Sequence, residues 1–389
     1  MARGRAQTAL MATVPIDDSN TATGPARNYV LAHNAIRGFA ALGVFVYHLQ
    51  LERGYLVPLG LFEPAVRRGY VWVDLFFILS GFVVSLSYQE RLARLHWRPF
   101  ARFMIARIGR IFPVHLLALL YLAALVIGIE GSYWLLGWPS HWHPLSWSQI
   151  GDLTLQAALL QVWSREATLS WNIPAWSISA EMHIYLLFPL LAALLAHKRQ
   201  AAILLLGAVA VAVYGFILLR YPDLDILSAF ALLRCLAGFS LGMVLQNLKG
   251  AVRLGARWVT LAQLIAIGAI AAILLSALHD VLLVPAFALL VASTASDRGL
   301  VARAAHGSAL QWLGDISYSV YLLNFPVLTT AGLFWPRIAT LIPPGLEIGG
   351  RWLWMTLLVL VLVGCATLTF RLVEWPLRDR LRGVAAALE

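Results

Sequence analysis

Charge and cysteine are both scarce in this chain. Of 389 residues, 12% are charged and two are cysteine. Cys235 and Cys365 both lie inside apolar runs, which leaves no disulfide framework and no metal-ligand spacing and makes them packing residues. The first 28 residues lack the apolar core of a secretory signal. They hold small and polar residues with Pro15 and Pro25 and read as a flexible tail. So little charge, with 60% hydrophobic residues and a mean hydropathy of +0.77, excludes a soluble core of this size and points to a polytopic membrane protein. A net charge of +10 would suit a nucleic-acid partner, but its distribution along the chain argues against one.

What is present is a series of apolar runs. They predict an all-α, polytopic transmembrane helix bundle of about ten spans, at 33–51, 69–88, 111–130, 175–196, 201–220, 226–247, 257–277, 279–295, 313–336 and 352–374. A segment at 148–163 reads as an amphipathic helix at the lipid surface. With an even count both termini share one side, and that side carries 19 Lys and Arg against 6 on the other. The excess of positive charge makes it the cytoplasmic side. Residues 29–380 then form one transmembrane domain between cytoplasmic tails at 1–28 and 381–389, in a bacterial-type inner membrane.

Ionisable side chains inside spans are costly and mark candidate function. Arg37 and His48 both sit in the first run, eleven steps apart, which places them within about 20° of one another and roughly 16 Å apart along a helix. One face thus carries a fixed cation and, three turns on, a titratable base. A snorkelling arginine and a hydrogen-bonded interior histidine would explain the same pair. Asp74 in the second span and Glu181 in the fourth come out at about the depth of His48, within roughly 5–9 Å of the outer edge, as candidates to orient it.

The stretch 89–110 is the most basic, and its surface character suits anchoring to anionic lipid. Within it, Arg107 and Arg110 stand three apart, a spacing that equally suits two guanidinium forks on a phosphate. The outer loop 131–174 is rich in tryptophan, including Trp171 with Trp176 just after it. These indoles read either as an interfacial belt or as a platform for sugar rings. His141 and His143 flank Trp142 without a third ligand, so no metal is expected.

These motifs in this order resemble the acyltransferase-3 family of integral-membrane O-acyltransferases, over about residues 30 to 380. The likeness rests on Arg37–His48 in R-x10-H spacing, VDLFFILSGF at 73–82, RIGRIFP at 107–113, WNIPAWSISAEMHIYLLFP at 171–189, LGDISYSVYLLNFP at 313–326 and VEWPLR at 373–378. The resemblance implies that Arg37 and His48 are needed for activity and that Arg107 and Arg110 help bind an acyl-CoA donor. It also maps the family's acidic and serine positions onto Asp74, Ser80 and Glu181. Three positions depart from the pattern: Asn324 where many relatives have His, Met182 after Glu181 where a second acid is common, and His115 in place of an aromatic. With 15 residues after its last apolar run, the chain is expected to act alone or hand over to a separate protein.

The resulting expectation is an acyl-CoA-dependent O-acyltransferase that uses acetyl-CoA or another acyl-CoA as co-substrate. Its acceptor would be a hydroxyl of an extracytoplasmic glycan or glycolipid, with His48 as general base oriented by Asp74 or Glu181. Arg37 and Ser80 would assist the donor, and Trp171, Trp176, Asn324 and Tyr318 the acceptor or the oxyanion. A homo-oligomer is compatible with this reading. Two alternatives stay open: a proton-coupled flippase of a lipid-linked sugar, and an O-acyltransferase of a small secondary metabolite such as a macrolide.

Overall fold

The computed structural model describes residues 29–51, 57–136, 147–227, 229–251 and 254–387, and every regular element among them is helical. The chain enters through α1 (Leu31–Leu51) and reaches α3 (Trp72–Leu92) by way of the short α2 (Glu63–Arg67). There follow α4 (Trp97–Leu136), α5 (Trp147–Ala157) and α6 (Arg165–Thr168). Four long helices come next: α7 (Trp176–His197), α8 (Arg199–Arg220), α9 (Ala229–Leu248) and α10 (Ala256–Leu275). After α11 (Leu283–Thr294) and α12 (Leu300–Ala304), α13 (Ser308–Asp315) meets α14 (Ser317–Thr340) at a 61° bend. Finally α15 (Glu347–Thr369) passes through a π-helical turn, Phe370–Glu374, into α16 (Trp375–Ala386).

Seven of the described helices are long and apolar enough to cross a membrane, or eight if α13 and α14 count as one bent span. The protein is therefore an all-α polytopic membrane bundle. Two expected spans fall outside that set. The apolar content of α1 is diluted by His33, Asn34, Arg37, His48 and Gln50, and α11 with its leading turn covers only Asp280–Thr294.

One expectation is corrected. The basic stretch and the third apolar run are not a surface segment followed by a span. From Trp97 onward they are one 40-residue helix, α4, that continues through Pro113, while 89–92 end α3. Proline removes a single backbone hydrogen bond, and the chain on both sides of it is helix-forming and packed. The arginines of its first half consequently ride on a helix that enters the bundle, and Arg107 and Arg110 are half-buried.

α3 lies at the centre: 67% of its apolar window is buried, against 28% for α8, α10 and α15, whose exposed Leu204, Leu205, Leu219, Leu264, Leu353 and Leu360 suit lipid. The tightest packing is between α3 and α9. A side chain on Gly81 would collide with the carbonyl of Phe239, and one on Gly242 with that of Ile78. Small residues there let two backbones touch. The approach also closes an ion pair: the Nη2 of Arg234 on α9 meets Asp74 Oδ2 at 2.5 Å and its Nε meets Oδ1 at 2.9 Å, with both side chains fully buried. Tyr214 of α8 donates to the same carboxylate at 3.1 Å.

Breaking one half of such a buried pair leaves an uncompensated charge, at about 3–5 kcal/mol. Asp74→Ala is therefore expected to lower the thermal midpoint of the purified protein sharply, and adding Arg234→Met to recover part of the loss. Equal midpoints for the single and double variants would rule out the pair as the constraint on α3.

Candidate functional site

Arg37 is set by its own helix. Asn34, one turn earlier, accepts from Arg37 Nη2 at 2.7 Å and donates to Asp315 at 2.9 Å and to the Gln311 carbonyl at 3.1 Å. α13 thus fixes Asn34, and Asn34 fixes the guanidinium. Arg37 faces a cavity of about 550 Å³, within the size range of small-molecule sites. Four arginines line its basic end, Arg37, Arg110, Arg378 and Arg382, and a fifth, Arg107, lines it further in. Tyr29 stands at the same mouth. Desolvation pushes its phenol up to about 12 against the pull of Arg37, so it remains a neutral hydroxyl.

The two arginines of the R-x-x-R pair do different things. Arg107 is held by rings, with its guanidinium carbon 5.2 Å from the centre of Tyr88 and 5.8 Å from those of Phe103 and Tyr185, and it donates to the Tyr88 hydroxyl at 3.3 Å. Arg110 stands at the mouth, near enough to Arg37 and Arg378 to repel both.

Deeper in, α3 and α7 face each other across the cavity. Glu181 accepts a hydrogen bond from Tyr185 at 2.6 Å and another from the Ser80 hydroxyl, and the two hydroxyls are 3.1 Å apart. The far wall is formed by Phe76, Ser177 and Tyr321. The rings of Phe76 and Tyr321 meet edge to face at 5.7 Å, and the Tyr321 hydroxyl is tied to Ser177 at 2.8 Å and to the Pro174 carbonyl at 2.9 Å. From Ser87 at the basic end to Phe76 the cavity follows α3 for roughly 16 Å.

His48 does not line this cavity. It is buried beside Asn324, which lies on α14 one turn beyond Tyr321. Asn324 is fully buried, and neither its amide nitrogen nor its oxygen completes a well-formed hydrogen bond among the described residues. The structure brings neither expected orienter to the histidine. Asp74 is engaged by Arg234 and Tyr214, and Glu181 by Ser80 and Tyr185. Depth along a span did not reveal which helix face each carboxylate occupies.

The remaining expected residues are dispersed. Tyr318 lines the cavity but gives its hydroxyl to the Ile111 carbonyl at 2.7 Å. Trp176 is a core residue against Phe77, with Arg234 over its ring. Trp171 donates to the Gln149 carbonyl at 2.9 Å from a left-handed backbone, φ 41°. His141 and His143 lie outside the described residues. Several lining residues had not been singled out: Tyr88, Ser177, Tyr185, Tyr321, Arg378 and Arg382. A sequence signal existed for two of these cases, in the i,i+4 spacing of Glu181–Tyr185 and of Arg378–Arg382.

Comparison with known proteins adds a lineage to this geometry. The chain is 29% identical over 167 residues to the acyltransferase MdmB of Streptomyces mycarofaciens, covering 40% of this chain and 37% of that protein. It is 36% identical over 103 residues to protein 2 in the picA locus of Rhizobium radiobacter, covering 26% of this chain and 48% of that one. The matches thus span less than half the length of either curated relative. No solved structure matches. The model of the acyltransferase-3 family, described as an acyltransferase domain, matches residues 31–371, which takes in every wall of the cavity except Tyr29, Arg378 and Arg382. A polytopic helix bundle matched over that length is a member of the acyltransferase-3 family of membrane acyltransferases.

Proposed function

We propose that this protein moves an acyl group, acetyl by default, from acyl-CoA on the cytoplasmic side to a hydroxyl of an extracytoplasmic glycan or glycolipid. In this reading α1 and α11 complete ten spans, and both termini are cytoplasmic, as the excess of basic residues at that end supports. The observation that carries the proposal is a single cavity leading from a mouth of arginines to a wall one turn short of His48 and Asn324. A donor anionic at one end and reactive at the other matches that shape.

The nucleotide of the donor would sit against the arginines, because guanidinium forks grip phosphate and a polyanion does not enter hydrocarbon. The pantetheine arm would extend along α3, past Ser80 and Glu181. At the far end the Phe76–Tyr321 layer has to part for the thioester to meet an acceptor hydroxyl at His48. His48, as neutral imidazole, takes the hydroxyl proton while the oxygen attacks the thioester carbonyl. The tetrahedral oxyanion needs a donor, and we assign it to the amide of Asn324, whose burial beside His48 supports the role. Collapse expels the CoA thiolate, and the proton held by His48 returns to the leaving sulfur.

General-base assistance contributes about 10²–10⁴-fold. His48→Ala, at equal membrane abundance, is therefore expected to lower transfer at least a hundredfold. The readout is base-labile ester on surface glycan, by proton NMR, in cells lacking this chain and complemented with each form. Full ester with the variant would eliminate His48 as the base. No ester from the wild type would eliminate a surface glycan as the acceptor.

A donor that binds the folded state also raises its melting point. Acyl-CoA is expected to stabilise the purified protein and Arg107→Ala to abolish the shift. A transporter of lipid-linked sugar would show no response to CoA in either form.

A further inference from the structure

The last helix, α16, follows the membrane-spanning α15 after a π-helical turn, and π-helical turns often accompany functional sites. The turn ends at Glu374, which is buried and accepts from Ser319 at 2.7 Å. From that fixed point α16 lies back across α4. Gly109, between the two arginines of R-x-x-R, is where the helices meet: a side chain there would come within 2.9 Å of Leu381. Arg378 and Arg382 flank Leu381 on α16, one helical turn apart, and both line the arginine end of the cavity.

Among the described residues no carboxylate forms an ion pair with this group, although Asp315 lines the same cavity. Arg110, Arg378 and Arg382 form no ion pair or hydrogen bond with any described residue, and Arg37 has only neutral Asn34. Asp315 and Glu374 exert an attractive field on Arg378, but neither lies within ion-pair distance. Arg378 is repelled by both Arg110 and Arg382. Like charges drawn together from three helices at one cavity mouth make a site that is complete only with an anion in it.

We infer that Arg378 and Arg382 of α16 form a phosphate clamp for the nucleotide part of the acyl donor. The clamp supplies the α16 wall of the cavity mouth. This rests on the acyl-CoA reading above and takes the donor site past residue 371, where the match to the family model ends. Arg378 and Arg382 hold the phosphates, Arg37 and Arg110 complete the ring of charge, and Arg107 in its aromatic cage lies further along the arm. A lipid phosphate headgroup has the same chemistry, so the test separates the two sources.

The test is CoA and pantetheine binding by calorimetry, with the full chain in nanodiscs of phosphatidylcholine alone or with phosphatidylglycerol. Wild type, R378A/R382A, R378K/R382K and Arg107→Ala are compared. The double alanine variant is expected to weaken CoA about tenfold or more in the neutral lipid, the loss of two charge-assisted contacts. The double lysine variant should fall between it and wild type, since lysine keeps the charge and loses the fork. Pantetheine, which lacks the nucleotide, should bind both forms alike. Unchanged CoA affinity in R378A/R382A, with Arg107→Ala still weakened, overturns the clamp and leaves the donor reading standing. A difference that appears only with phosphatidylglycerol assigns the arginines to lipid and likewise overturns it. No CoA binding by wild type overturns both.

Discussion

A bilayer interior does not solvate charge, and the buried pair of Arg234 and Asp74 is where this bundle meets that constraint most severely. Two fully buried ions on neighbouring helices are tolerable only at hydrogen-bonding distance. That distance requires α3 and α9 to touch, which their glycines permit. The contact sets the rotation of α3. Asp74 points to α9, and residues about one, two and three turns on, Phe77, Ser80 and Val84, are presented to the cavity. The pair therefore acts as a register pin for the helix that forms the cavity's longest wall. Neither Asp74 nor Arg234 lines the cavity itself.

Polarity is graded along that cavity. At one end are arginines that form no ion pair among the described residues, in the middle a carboxylate shared by two hydroxyls, and at the far wall two aromatic rings. Each stage suits a different part of a long donor: anionic, then neutral and polar, then reactive. The aromatic layer also closes the cavity at the end away from the arginines. A path open from the arginines to His48 would leak ions and water, so closure at Phe76 and Tyr321 is consistent with an enzyme that passes an acyl group and keeps the bilayer sealed.

The class of fold was legible from composition, because apolar length is a local property that each helix must satisfy alone. All ten apolar runs coincide with helix in the described residues. Arg37 stood out as a charge in an apolar run and the R-x-x-R pair by its spacing, and all three line the cavity. Partnerships were not legible. Asp74 and Glu181 have similar depths to His48 and similar chemistry, yet they belong to different clusters. A rotation of 100° per residue sends neighbouring positions to different neighbours. Arg378 was legible only as the end of the VEWPLR stretch, because nothing local records that α16 folds back on Gly109.

Hydropathy and charge asymmetry, being sums over one strand of sequence, were enough for the helical class, the membrane setting and the cation at position 37. The joining of α1, α3, α4, α7, α14 and α16 around one cavity is a different kind of fact. It depends on which helix faces meet. Those meetings are set by steric notches and buried pairs between residues as far apart as Asp74 and Arg234, or Gly109 and Leu381.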